Sequence, residues 1–547
     1  MEKTLFRWLK DKIKKYSIHF ILLIGLNSLI SLCAVYFAYQ MRQVIDFATL
    51  QDCNQFIHYL SLITGILLFQ LTIYAITKRE EEYVRGKLEN EIKLEIYQDF
   101  MSSDYGDLNS YHTGELLNYL VSDVAIVSDG IVSIIPNLIA MTVRLFGALY
   151  VMYRLDKILA FIFFSGGILF CLFTLVYKKI MKNLHKNVQS QDGKLRSFLQ
   201  ESLSNLLIIK AYKQEENNLK QANDKMNLHF KARMKRNRYM ILNNVGFSLV
   251  MDAGYLFGLL WCGVGILDGR ITYGVLTSVL QLVNQIQQPF TQISTYLSKY
   301  YALLASGERI LEVASIKKEE IKREEVIDFD QIRLEDVEFY YETGNKILEH
   351  CSLDIVKGDT IAIIGTSGHG KSTLLKLLLD LYHPTQGNVY FIKDDEKINL
   401  SSSSRSLFAY VPQGNYLLSG TIRESLTFNQ EKWNEEKIKE ACKIACIDEV
   451  IEQLPHQYES YIGESGKGLS EGQIQRLAIA RAIYFDAPIL LLDECTSALD
   501  EQTEKQLIHN IKTKTNKTIL LVTHKQSTLA LCRHVYELKE HRLVEKR

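Results

Sequence analysis

Hydrophobic side chains are spread unevenly along this chain. Through its first part, apolar stretches recur at close to the ~20 residues that an α-helix needs to cross a bilayer. Six such cores fall at residues 18–39, 56–76, 131–153, 158–177, 241–267 and 273–297. Past residue 315 no comparable stretch occurs, and residues 316–329 are crowded with Lys and Glu, as in a solvated helix end and linker. From residue 332 onward short β-like runs alternate with helical patterns, which is how a soluble α/β layer reads. The pattern predicts a two-domain membrane protein. An all-α six-helix transmembrane domain occupies residues 1–315, a charged linker 316–330 and an α/β domain 331–547. Two long loops, after the second and fourth spans, are nearly free of proline and helical in pattern, each broken once, at residues 102–106 and 210–216. They predict helical extensions that reach the soluble domain.

Composition changes this picture in one respect. The 547 residues hold 63 Lys+Arg and 63 Asp+Glu, and zero net charge argues against a general nucleic-acid binder. The neutrality is a cancellation: residues 1–315 hold 33 basic and 26 acidic side chains, the remainder 30 and 37. The tail before the first span and the two long loops carry 26 of those basic residues, against four (Arg42, Arg154, Lys157, Arg270) in the short opposite loops. The excess places tail, long loops and soluble domain in the cytoplasm. Nine scattered Cys are not a disulfide scaffold, and six Pro suit long uninterrupted helices. Cys442 and Cys446, one turn apart with no nearby His or further Cys, read as core residues rather than a metal site.

The candidate chemistry lies in the second half. A buried strand at 360–364 runs into Gly365-Thr366-Ser367-Gly368-His369-Gly370-Lys371-Ser372-Thr373 and then a helical run, the strand–loop–helix setting of a P-loop. Glycines let backbone N–H groups curl around phosphates, and the helix N-terminus adds its positive end. Lys371 is placed to reach β- and γ-phosphates, and Ser372 to bind Mg²⁺. Further on, an apolar strand ends in Asp493-Glu494, one carboxylate for the Mg²⁺ shell and the next beside an attacking water.

Between these elements stands Leu469-Ser470-Glu471-Gly472-Gln473, and with it the chain resembles ATP-binding-cassette (ABC) transporters of the exporter-type half-transporter layout. The resemblance implies that Tyr341 stacks on the adenine of ATP, and that Gln413 forms a Q-loop joining Ser372 and Asp493 about Mg²⁺. It further implies that Ser470, Gly472 and Gln473 are the signature, that Asp500 closes a D-loop and that His524 is the switch histidine. Residues 463–466 are similar to an exporter loop that meets the coupling helices, and 111–115 and 210–215 to recurring intracellular segments. Two residues depart from the family pattern, Glu471 where glycine is commonest and His369 where a small residue is usual. Neither removes a phosphate-binding backbone group or a catalytic side chain. Because the signature of one cassette closes on the nucleotide of another, a single cassette implies pairing with a second half-transporter. A homodimer is favoured, since Lys371, Glu494, His524 and the signature are all present. A heterodimer stays open.

What would be carried is less legible. Ser278, Gln281, Gln285, Gln288 and Gln292 form one helical stripe on the sixth span, with Pro289 expected to kink it. The stripe reads either as a translocation path or as interhelical hydrogen bonding. Arg144 and Asp252, also within spans, read as a structural pair, a snorkelling end or cavity charges. The first span opens so early that the sequence leaves no room for the peptidase domain of leader-cleaving peptide exporters. The expectation is an exporter of a peptide, drug-like or lipidic molecule. Abundant Lys, Ile, Asn and Tyr suggest the plasma membrane of an AT-rich bacterium. The alternatives are an importer on the same fold and a non-transporting ATPase that gates or senses.

Overall fold

The computed structural model describes residues 2–319, 328–341, 344–366, 368–414, 417–463, 466 and 468–546. Within it the chain forms two compact units, Met1–Gln98 with Thr113–Ser315, and Asp99–His112 with Ile316–Arg547. The break in the first long loop therefore belongs to the same unit as the soluble domain. Of the charged linker, residues 320–327 lie outside the described residues.

Ten helices occupy the first part: α1 (Glu2–Lys15), α2 (Ser17–Thr49), α3 (Cys53–Ser102), α4 (Tyr105–Leu108), α5 (Thr113–Asn118), α6 (Val124–Leu155), α7 (Lys157–Ser204), α8 (Leu206–Ala211), α9 (Glu215–Leu267) and α10 (Tyr273–Ala314). By length and composition four stretches can cross a membrane: Ser17–Thr49, Cys53–Ser102, Thr113–Leu155 and Glu215–Leu267. The other two expected spans form helices as well, but differ in character. In α7 the described apolar run is Lys157–Gly167, and the side chains of 168–180 lie outside the description. In α10 five amide side chains between Gln281 and Gln288 lower the hydropathy of the membrane segment. That helix is the packed centre of its unit, lying along α6 and α2 with Val279, Leu282, Val283 and Ile286 buried. Its polar side chains are less enclosed: Ser278 is buried, Gln281 and Gln285 are half-buried and Gln288 is exposed.

Caps and breaks follow local chemistry. Asp156 caps α7, its Oδ1 accepting from the amides of Ile158 (2.9 Å) and Leu159 (3.0 Å). One π-helical turn, Tyr119–Asp123, leads into α6, and the buried Asp123 carboxylate accepts from Ser306 Oγ (2.8 Å) and Arg309 Nε (3.0 Å) on α10.

The second unit is an α/β domain. Its strands are β1 (Gln331–Tyr340), β2 (Lys346–Val356), β3 (Thr360–Ile364), β4 (Gln386–Lys393), β5 (Glu396–Asn399), β6 (Phe408–Val411), β7 (Gly420–Thr421), β8 (Tyr461–Ile462), β9 (Ile489–Asp493), β10 (Thr518–Val522), β11 (His534–Lys539) and β12 (Arg542–Glu545). They form an antiparallel sheet β2-β1-β4-β5, a six-stranded sheet β12-β11-β3-β10-β9-β6 and the pair β7-β8. In the larger sheet β11, β3, β10, β9 and β6 run parallel. Strands β9 and β10 are buried along their whole length, which is why they read as continuous apolar runs. The helices are α11 (Lys371–Leu378), α12 (Ile422–Thr427), α13 (Glu435–Ile444), α14 (Asp448–Glu452), α15 (Glu471–Phe485), α16 (Glu501–Lys514) and α17 (Gln526–Leu529). Among them Cys442 is buried in the core and Cys446 half-buried.

Candidate functional site

Four loops leave the carboxyl ends of adjacent parallel strands, the edge at which open α/β sheets bind ligands. Gly365 follows β3, His524 follows β10, Glu494 follows β9 and Gln413 follows β6. Strand order thereby converges residues up to 159 positions apart in sequence.

The P-loop has the geometry its glycines permit. Gly370 caps α11 at φ +98°, and a Cβ there would lie 2.5 Å from Ile347 Cγ2. Lys371 is buried and its Nζ donates to the carbonyl oxygens of Gly365 (2.6 Å) and Thr366 (3.3 Å). Around it the catalytic candidates gather. Glu494 Oε1 is 3.4 Å from both Lys371 Nζ and His524 Nε2, and Gln413 Nε2 donates to Glu494 Oε2 at 2.8 Å. Lys371 Nζ and His524 Nε2 are 3.3 Å apart. The Glu494 backbone is left-handed at φ +48°, a strained conformation that aims this carboxylate at the loop.

Asp493, at the end of β9, is buried, and Tyr410 OH donates to its Oδ2 at 3.2 Å. Its Oδ1 is buried with no hydrogen-bond partner among the described residues. Burial holds the carboxyl above the usual aspartate range, opposed by hydrogen bonds from Ser372 and Tyr410. An orphaned carboxylate oxygen beside a serine hydroxyl is a donor set that fits Mg²⁺.

Tyr341 lies at the other end of the loop, half-buried. Its hydroxyl shares a 3.0 Å hydrogen bond with Thr373 Oγ1, and its ring stands edge-on to Phe339 (5.0 Å) and Tyr382 (5.4 Å). His369 is half-buried, with Nδ1 at 2.5 Å from Thr366 Oγ1. Gly368, Gly365 and Thr366 are in place, whereas Ser367 lies outside the described residues. So do Glu464 and Ser465 of the 463–466 stretch.

The signature faces elsewhere. Ser470 caps α15 in a reciprocal box with Gln473: the Gln473 amide donates to Ser470 Oγ (3.3 Å) and Gln473 Oε1 accepts from Ser470 N (2.8 Å). Gly472 permits close approach, since a Cβ would lie 3.1 Å from the Ala498 carbonyl oxygen. Asp500 caps α16 by accepting from the amides of Gln502 and Thr503, and a hydrogen bond from the Thr503 side chain, joined by these amides, holds its carboxyl below the usual range. Among the described residues no hydrogen bond joins Ser470, Gly472 or Gln473 to the P-loop.

Four residues escaped the sequence reading. Gln475 bonds Ser497 Oγ and the Ala498 amide, each at 3.1 Å, tying the signature helix to the D-loop. Lys525, directly after His524, donates to the carbonyls of Thr496 (2.9 Å) and Leu499 (2.7 Å) and pairs with the fully buried Glu504 at 2.9 Å. Tyr410 is the fourth. Only adjacency to His524 hinted at Lys525; the partners of the rest are distant in sequence.

In the membrane unit Arg144 on α6 hydrogen-bonds Gln288 on α10, an interhelical contact, and Asp252 is exposed on α9. Gln281, Gln285 and Gln292 are half-buried, Gln285 Oε1 has no hydrogen-bond partner among the described residues, and α10 continues through Pro289.

A parallel-sheet P-loop domain with a carboxylate, a histidine and a glutamine around the P-loop lysine defines a nucleoside-triphosphatase, here joined to a helical membrane unit. Known proteins agree with that class. The ABC transporter transmembrane region matches residues 20–290, and the ABC transporter family matches residues 348–497. The ATP-dependent lipid A-core flippase of Desulfotalea psychrophila is 28% identical over 519 residues, covering 93% of this chain and 90% of that protein. The lactococcin-G-processing and transport ATP-binding protein LagD of Lactococcus lactis is 34% identical over 368 residues, 65% of this chain and 51% of that longer protein. A bacterial Atm1-family ABC exporter with ATP bound has the same fold, with a TM-score of 0.83 at 22% identity, over 97% of this chain and 95% of that one. The chain belongs to the ABC transporters: it is a half-transporter of the exporter layout, a membrane region fused to one ATP-binding, ATP-hydrolysing cassette.

Proposed function

We propose that two copies of this chain form an ATP-driven exporter in a bacterial plasma membrane, moving a peptide, drug-like or lipidic molecule out of the cytoplasm by alternating access. The observation that carries this reading is the convergence of Lys371, His524 and Gln413 on Glu494. The relatives support export: one is named as a flippase of lipid A-core and another as a transporter of lactococcin G.

In this reading the phosphates of ATP lie at the N-terminus of α11 under the amides of residues 365–373, and Lys371 exchanges its carbonyl partners for β- and γ-phosphate oxygens. Tyr341 stacks on adenine. Ser372, Asp493 and Gln413 would hold Mg²⁺, which would supply neutralisation of charge on the β- and γ-phosphates. Ser470, Gly472 and Gln473 of a second copy close over the γ-phosphate, while within one chain Gln475 ties the signature helix to the D-loop that Asp500 ends. Glu494 takes a proton from the attacking water as its oxygen bonds phosphorus and the β–γ bridge breaks, while His524 steadies the departing phosphate. Closure of the cassettes turns the membrane helices outward and hydrolysis releases them.

Replacing Glu494→Gln keeps the shape and removes the base. ATP binding is expected to stay within about twofold and hydrolysis to fall about 100-fold or more, read by nucleotide binding and phosphate release on the purified protein. Wild-type turnover in that variant would remove Glu494 from the mechanism. ATP-dependent uptake into inverted vesicles from a panel of peptides, lipids and drugs tests direction and substrate together.

A further inference from the structure

The turn after the P-loop helix makes contacts that ATP hydrolysis does not use. Helix α11 ends at Leu378, and Asp380 reverses the chain at φ +52°. His383 follows, and its ring has a carboxylate on each nitrogen. Nδ1 is 3.0 Å from Asp380 Oδ1, and Nε2 is 3.0 Å from Asp104 Oδ2. Asp104 belongs to the break between α3 and α4 and is itself held in place. Its amide donates to the Lys317 carbonyl at 2.8 Å and its Oδ1 accepts from Gly106 N at 2.9 Å. The neighbouring Tyr382 adds an apolar contact, edge-on to Tyr105 (5.8 Å) and to Tyr341 (5.4 Å), and its hydroxyl accepts from Asn109 Nδ2 at 3.2 Å.

Most of the other charged groups lining this place have partners of their own. Arg405 pairs with Glu319 at 2.8 Å and donates to the carbonyls of Leu379 and Asp380, at the C-terminal end of α11 where a cation is favoured. Lys318 pairs with Asp99 at 2.7 Å, and Lys317 lines the same cavity. The two carboxylates facing His383 therefore favour its charged form. The hydrogen bond to Asp380 does most to raise it above the usual histidine value, with burial opposing and Asp104 adding to the rise.

We propose that His383 is a positioning residue of the transport cycle: through Asp104 it ties the first intracellular loop to the end of the helix that begins at Lys371. The eight residues of α11 rise about 12 Å as one rod, so a shift at the phosphate end arrives at His383 within the same chain. The bridge needs the imidazolium to satisfy both carboxylates. The tie is thus complete at low pH and is lost as pH rises through the raised value of His383. The inference rests on the ATP site proposed above.

The test is hydrogen exchange on the full-length protein in lipid nanodiscs, with and without ATP and vanadate. In the wild type, nucleotide should slow exchange both in the P-loop and over residues 99–112. In His383→Asn, and separately in Asp104→Asn, P-loop protection should persist while protection over 99–112 drops about threefold, and the double variant should lose no more than either single one. His383→Lys keeps a cation and should retain the protection, which also guards against a variant that merely misfolds. The ratio of wild-type to His383→Asn ATPase should fall toward one between about pH 6 and about pH 9, a slope a purely structural histidine would not give. Full protection over 99–112 in both single variants overturns the proposal, as does a flat ratio or joint loss of P-loop and loop protection. Absence of P-loop protection in the wild type would instead count against the ATP site.

Discussion

At the residue scale, the site depends on side chains held by neighbours that never touch nucleotide. Lys525 is the clearest. It spans two D-loop carbonyls and the fully buried Glu504, which also accepts from Thr496 and Thr528 hydroxyls. Removing the cation leaves a buried carboxylate uncompensated, so Lys525→Met should destabilise the cassette by about 3–5 kcal/mol and depress ATPase by misplacing Asp500. Adding Glu504→Gln removes the stranded charge and should recover much of the thermal stability without restoring turnover. Both are read by thermal unfolding and phosphate release. Gly370 is constrained differently: its left-handed backbone and the 2.5 Å approach of Ile347 leave no room for a Cβ. Gly370→Ala should abolish ATP binding, checked by a fluorescent nucleotide.

At the element scale, two capping boxes separate structure from function. Thr421 and Glu424 close the N-terminus of α12, as Ser470 and Gln473 close that of α15. Thr421→Ala and Ser470→Ala should each cost about 1 kcal/mol of stability. Only Ser470→Ala should also lower ATPase, because its hydroxyl is assigned to the nucleotide of a second copy. Equal ATPase losses in the two would make Ser470 no more than a cap. Along α10 the same logic applies to the glutamines. Gln288 is engaged by Arg144 across helices, whereas Gln285 keeps a buried oxygen with no hydrogen-bond partner among the described residues. Replacing Gln281 and Gln285 with Leu should therefore alter substrate-stimulated ATPase with little loss of stability, while Arg144→Met should mainly loosen the α6–α10 packing, visible as a lower Tm.

At the scale of the whole molecule, one chain carries both a P-loop and a signature helix, and Gln475 of that helix is hydrogen-bonded to the chain's own D-loop. In the proposed assembly a second copy brings the two faces together. The Glu494→Gln protein should trap that state, so ATP should convert it to a stable dimer of cassettes, seen as slowed nucleotide release and resistance to dissociation in detergent. Preparations mixing wild-type and Glu494→Gln chains should lose more activity than their fraction of wild-type copies would give, if the two sites act in one assembly.

The linear pattern alone carried the two-domain layout, the helical class of one part and the α/β class of the other. The period of apolar residues records burial directly, and a membrane span or buried strand leaves an uninterrupted run. It also carried Lys371, Ser372, Asp493 and Glu494, since each lies beside the strand that presents it and a local motif suffices. The strand order β3-β10-β9-β6 was not legible, and it alone puts Gln413 and His524 beside Glu494. Lys525 with Glu504 and His383 with Asp104 are pairings of the same kind. Their energies come from contacts across space, and neither partner alters the local periodicity around the other. The polar α10 shows the same division: sequence showed a glutamine stripe within an expected span, and only the tertiary packing decided that Val279, Leu282, Val283 and Ile286 are enclosed while Gln281 and Gln285 stay half-buried and Gln288 meets Arg144 of α6.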